Sequence, residues 1–153
     1  MVASVSDMNV VIVGAGPAGI FTALSLLKNA PATSIALVEK GLPVERRNCP
    51  KAKVGHCVGC EPCRITTGFS GAGAFSDGKL SLSPEVGGDL PELIGEDVAR
   101  AAIKQVDDVY LAFGADTHVE GVDAPDEVKD IRRRAIQAGL KLVDCPIRHL
   151  GTE

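Results

Sequence analysis

Three glycines, Gly14, Gly16 and Gly19, stand in the spacing G-x-G-x-x-G between a β-branched run and a stretch of helical periodicity. The lack of a Cβ permits a tight turn at Gly14, lets backbone approach a pyrophosphate at Gly16, and lets helix press on strand at Gly19. Ala15, Pro17 and Ala18 keep the intervening positions small, and a helix opening here would aim free N–H groups and partial positive charge at an anion. Glu39 falls 25 residues after Gly14, where a carboxylate can accept hydrogen bonds from ribose hydroxyls, and Lys40 follows it. A glutamate at that point disfavours the 2′-phosphate of NADP. These eight residues read as a dinucleotide site.

A second constellation is sulfur-based. Cys49, Cys57, Cys60 and Cys63 lie within fifteen residues, with His56 among them. Cys57-x-x-Cys60-x-x-Cys63 has the spacing that opens a ferredoxin-type iron–sulfur run, although here the Cys49-Pro50 pair precedes the triplet. Zinc is the other metal option, with His56 as a spare ligand. Cys57 and Cys60 alone could act as a redox dithiol, and four independent reduced thiols are the plainest alternative. Metal binding by all four is the leading expectation. Few apolar residues lie between Lys40 and Arg64, so burial alone is a weak means of ordering that stretch. Cys145, isolated beside a strand-like segment, reads as a small core residue.

The elements that must position these groups follow from periodicity. Asn9 to Val13 suits a buried parallel strand, Pro17 a first helical turn, and Ile20, Ala23, Leu24 and Leu27 a helix face ending near Asn29. Ser34 to Glu39 is the second strand, giving a βαβ opening. Between Glu39 and Pro84 periodicity disappears for far longer than an ordinary connection, so either elements within it go unread or the segment wraps something. Asp89 and Glu92 have capping-box spacing. Helices are expected over Glu96 to Phe113, stopped by Gly114, and over Pro125 to Ala138, stopped by Gly139. Leu140 to Val143 looks like a further strand. The fold class expected is α/β: a Rossmann-like βαβ start with a parallel sheet, a long cofactor loop, then helices, forming an incomplete domain. Residues 1–83 carry the nucleotide unit and both loops, and residues 84–153 a helical segment with the next strand.

Composition narrows the classes. The chain has 153 residues, 45% hydrophobic and 24% charged, as globular proteins do, with 17 glycines and only 3% aromatics. The net charge of −4 excludes a globally basic nucleic-acid binder. Charge is nonetheless partitioned: six bases against two acids from Lys40 to Arg64, and thirteen acids against three bases from Glu85 to Asp130. The opening apolar run is broken by Gly14, Gly16, Pro17 and Gly19, which fits neither a signal sequence nor a membrane span. A cytoplasmic location is the default expectation. Arg132, Arg133 and Arg134 span three faces of a helix and read as solvated. His118 and His149 carry no assigned role.

The segments Val10 to Gly19 and Ile35 to Glu39 resemble the FAD-binding variant at the N-termini of two-dinucleotide flavoproteins such as glutathione reductase. The segments Gly68 to Leu80, Glu39 to Pro50 and His149-Leu-Gly-Thr resemble bacterial NAD(P)/FAD-dependent oxidoreductases, described as FAD-dependent dehydrogenases. The resemblance spans essentially the whole chain. It implies FAD as cofactor, hydride transfer between a small-molecule substrate and flavin, and NAD(P) as an electron partner of a longer protein. It also implies that Gly71, Gly73, Ser76 and Lys79 form a second cofactor loop near the flavin. By residue type Asp77 or Lys79 could handle protons there, with a purely structural loop role as the alternative and no catalytic residue assigned. Glycines with Ser76 and Lys79 as donors suit an anionic phosphate or a reduced flavin; an ordinary surface loop is the alternative. Members of that family are several times longer and return late in the chain to complete the FAD site, so the chain is expected to be an N-terminal portion. Two other function classes stay open: a non-redox binding module built on a zinc and cysteine loop, and a flavoprotein that modifies RNA. The loop lacks aromatics to stack on bases, which disfavours nucleic acid as a partner. No membrane partner is expected.

Overall fold

The computed structural model describes residues 8–122 and 125–150. Gly151 and Thr152 of the His149-Leu-Gly-Thr segment therefore lie outside the described residues. The chain is mixed α/β and forms two compact units, Met1–Ser76 and Asp77–Glu153.

In the first unit, strand β1 (Val10–Val13), helix α1 (Pro17–Asn29) and strand β2 (Ile35–Val38) run in order. β1 and β2 pair in parallel, with Val10 opposite Ile35 and Val13 opposite Val38. The β-branched run favours extended backbone, and Pro17 at the first helical position costs no hydrogen bond because that N–H would be unpaired anyway. α1 ends at Ala30, whose N–H still reaches Leu26 O, before Pro31. Asn9 ties the start of the sheet by exchanging hydrogen bonds with Ser34. β1 is half-buried rather than the buried strand its β-branched run predicts, because α1 packs on the sheet while Val11 and Val13 remain exposed.

The aperiodic stretch that follows holds a 3-10 turn (Val44–Arg46), the short helix α2 (Lys51–Val54) and a second 3-10 turn (Gly71–Phe75). What it wraps is an arginine. Arg47 is only 2% exposed. Its Nε donates to Arg64 O, its Nη1 to Phe69 O and Gly71 O, and its Nη2 to Ile65 O. Its guanidinium also lies 4.8 Å from the centre of the Phe75 ring. One planar fork thus satisfies carbonyls that would otherwise be unpaired across residues 64–71.

In the second unit, β3 (Lys79–Ser81), α3 (Leu90–Ile94), α4 (Glu96–Ala112), β4 (Val119–Glu120), α5 (Pro125–Gln137) and β5 (Ile147–His149) follow. β5 is the central strand of a three-stranded antiparallel sheet ordered β3-β5-β4. The expected strand at Leu140 to Val143 is not one, since those residues are exposed and irregular and the pairing falls on Ile147–His149 instead. The reason is Arg148. It is buried, forms a two-pronged ion pair with Asp107 on α4 and donates to Asp116 O at 2.8 Å, which fixes β5 against the helix. Asp89 does take the N-cap position of α3, but its side chain makes no cap hydrogen bond. No large side chain is fully buried among the described residues, and the buried hydrophobics are Ala15, Ala99 and Ala135.

Candidate functional site

The site is built where β1 meets α1 and β2 ends. Gly14 adopts φ +103°, a conformation that side chains other than glycine's rarely tolerate, and its N–H donates to Val38 O at 2.7 Å. A Cβ on Gly19 would stand 1.9 Å from Gly14 O, so glycine there is what allows α1 to lie against the turn. Gly16 differs from both. Its backbone is ordinary extended (φ −77°, ψ −178°), and a Cβ on it would meet nothing within 4 Å. No side chain caps α1, and Ala18 and Gly19 are in its first turn, whose N–H groups have no acceptor within the helix.

Glu39 bridges the turn and the following loop. Its Oε2 accepts from Ala15 N–H at 2.9 Å and its Oε1 from Gly41 N–H at 2.9 Å. Those bonds, that from Ala15 foremost, hold its carboxyl below the usual range. A carboxylate has about four acceptor positions, so each oxygen keeps room for a further donor.

The loop expected near the cofactor arrives at the same place. Ser70 N–H donates to Ala15 O at 2.8 Å, and a Cβ on Gly71 would lie 3.3 Å from both Gly16 Cα and Pro17 Cδ. Gly41 and Gly68 touch backbone to backbone, a contact any side chain on Gly41 would block at 2.5 Å. The result is a cavity of 490 Å³ lined by Gly14, Gly16, Glu39, Lys40, Thr67 and Gly71 with their neighbours. That volume lies within the usual range for small-molecule sites.

The other expected site residues are placed differently. Gly73 sits in the Gly71–Phe75 turn, and the Ser76 hydroxyl donates to its carbonyl at 3.0 Å. Lys79 belongs to the second unit, on β3, paired with Asp77 at 2.8 Å. That pairing, by hydrogen bond first and charge second, lowers the Asp77 carboxyl and raises the Lys79 ammonium. On the neighbouring strand His149 stands opposite Lys79, its Nε2 3.3 Å from Glu120 Oε1.

The cysteines do not form a ligand set. All five are free thiols, and among the described residues no three His, Cys, Asp or Glu side chains come together to hold a metal. Left-handed turns at Gly55 (φ +80°) and Gly59 (φ +65°) redirect the chain between Cys49 and Cys63. The stretch that carries them is tied together by Arg47, whose donors reach the carbonyls of residues 64, 65, 69 and 71. Cys63 is distinctive on its own. The N–H groups of Thr66 and Ile65, the Thr66 hydroxyl and the Arg47 charge hold its thiol below the ordinary cysteine value.

No protein-family profile, curated protein or solved structure matches the chain. Among the described residues no helix is long and apolar enough to cross a membrane.

Proposed function

We propose that this chain binds FAD through the cavity between Gly14 and Gly71 and serves an oxidoreductase that passes hydride between a small-molecule substrate and flavin. The observation that carries the reading is Gly16. Neither backbone strain nor a packing neighbour demands glycine there, whereas a ligand backed onto the helix N-terminus does. The β1–α1–β2 order with Glu39 at the sheet's end matches what a Rossmann-like dinucleotide unit requires.

In this reading the N–H groups of Ala18 and Gly19 receive the pyrophosphate, and the α1 dipole favours its charge. Glu39 accepts from ribose hydroxyls with the lone pairs left by Ala15 and Gly41. Lys40 stands at the cavity wall as a countercharge, and Gly71 closes the cavity over Gly16 and Pro17. Bound FAD supplies two-electron chemistry; the chain binds and orients it.

Titration of the intact protein with FAD, NAD, NADP and ADP, followed by flavin fluorescence or calorimetry, tests this. Saturable FAD binding lost in Gly16→Val supports it. No binding of any dinucleotide, or equal binding by Gly16→Val, would sink it.

A further inference from the structure

A second cavity, of 360 Å³, adjoins the first and shares Lys40 and Thr67 with it. Its other walls include Arg47, Cys60, Glu61, Pro62 and Arg64, none of which lines the first cavity. We propose that this cavity binds the phosphate group of a second ligand, a phosphorylated small molecule, beside the dinucleotide.

Charge carries the argument. Three cations line the cavity against one acid, Glu61. Arg47 is buried and bonded only to carbonyl oxygens, so among the described residues no carboxylate neutralises it. A buried cation without a counter-ion projects positive potential into any adjoining cavity, because little solvent screens it. The guanidinium of Arg64 makes no ion pair among the described residues and remains available to an incoming anion, while Lys40 stands on the wall shared with the first cavity. A phosphate dianion answers several convergent cations better than a single carboxylate does, and arginine presents the planar fork that suits its oxygens. The cavity rests on these residues whether or not the flavin reading holds.

Inorganic phosphate is the probe, its binding to the intact protein followed by 31P NMR line broadening, with and without saturating FAD. Phosphate should bind in both conditions. Arg64→Gln should weaken it roughly tenfold, the loss of one charge-assisted contact. The Arg64 side chain is exposed, and its carbonyl still accepts from Arg47, so the variant keeps the loop fold. Lys28→Gln, remote on the last turn of α1, should change nothing. Phosphate expelled by FAD and indifferent to Arg64→Gln would assign it to the glycine turn and overturn the proposal, as would no phosphate binding at all. Arg64-dependent phosphate binding by a protein that takes no FAD would uphold this site while the proposed function fell.

Discussion

Ala15 and Glu39 are joined by a 2.9 Å hydrogen bond, backbone N–H to Oε2, across 24 residues of chain. The same carboxylate takes Gly41 N–H, so one side chain holds the glycine turn, the end of β2 and the start of the long loop together. Glu39 was expected to serve only a ribose. It also shapes the cavity in which the ribose would lie.

That double duty separates two substitutions. Glu39→Gln keeps one acceptor oxygen and should weaken FAD binding roughly tenfold, whereas Glu39→Ala removes both and should cost up to about a hundredfold. FAD titrations of both variants check the order. Equal affinities would mean the carboxylate does not face the ligand.

Gly19 and Gly16 should part company in the same way. Gly19→Ala drives a methyl to 1.9 Å from Gly14 O and should destabilise the βαβ unit by about 1–3 kcal/mol, read from urea denaturation. Gly16→Ala meets open space, so stability should hold while dinucleotide affinity falls.

Arg47 should be irreplaceable even by lysine. Lysine keeps the charge but cannot direct donors at the carbonyls of residues 64, 65, 69 and 71 at once, and each buried carbonyl left unpaired costs about 1–3 kcal/mol. Limited proteolysis of Arg47→Lys should open cleavage sites between residues 48 and 71 that the parent protein resists. An unchanged digestion pattern would remove Arg47 from its organising role.

Cys63 should be the thiolate that persists as pH falls. Its thiol is held below the ordinary value, so alkylation by iodoacetamide should continue at pH values where a free-cysteine peptide has stopped reacting. Thr66→Ala removes the hydroxyl contribution and should move the midpoint of the rate profile upward. Mass-spectrometric mapping of the label against pH makes the comparison.

The βαβ opening, α4 and α5 were legible because their signals are local: a β-branched run, helical spacing, and glycine or proline at the ends. Arg47 was not. It follows Arg46 in a basic stretch, and only the convergence of carbonyls some 17–24 residues away makes one of the pair buried and the other exposed. β4 and β5 are two and three residues long, too short for alternation to register, and the middle of β5 is a charged residue whose partner lies on α4. The cysteines are close in sequence, which suggests convergence in space, whereas left-handed turns at Gly55 and Gly59 redirect the chain between Cys49 and Cys60 and no three of them come together among the described residues.

The absence of any fully buried large side chain among the described residues has a calorimetric consequence. The heat-capacity increment of unfolding reports apolar surface newly exposed to water. Val13, Leu93 and Phe113 are already 85%, 79% and 77% exposed, so unfolding adds little hydration of theirs. The chain's stability curve against temperature should therefore be shallow, with a broad, low-enthalpy melting transition and solubility that worsens on warming. A ligand that fills the cavities should sharpen that transition by adding contacts made only in the folded state.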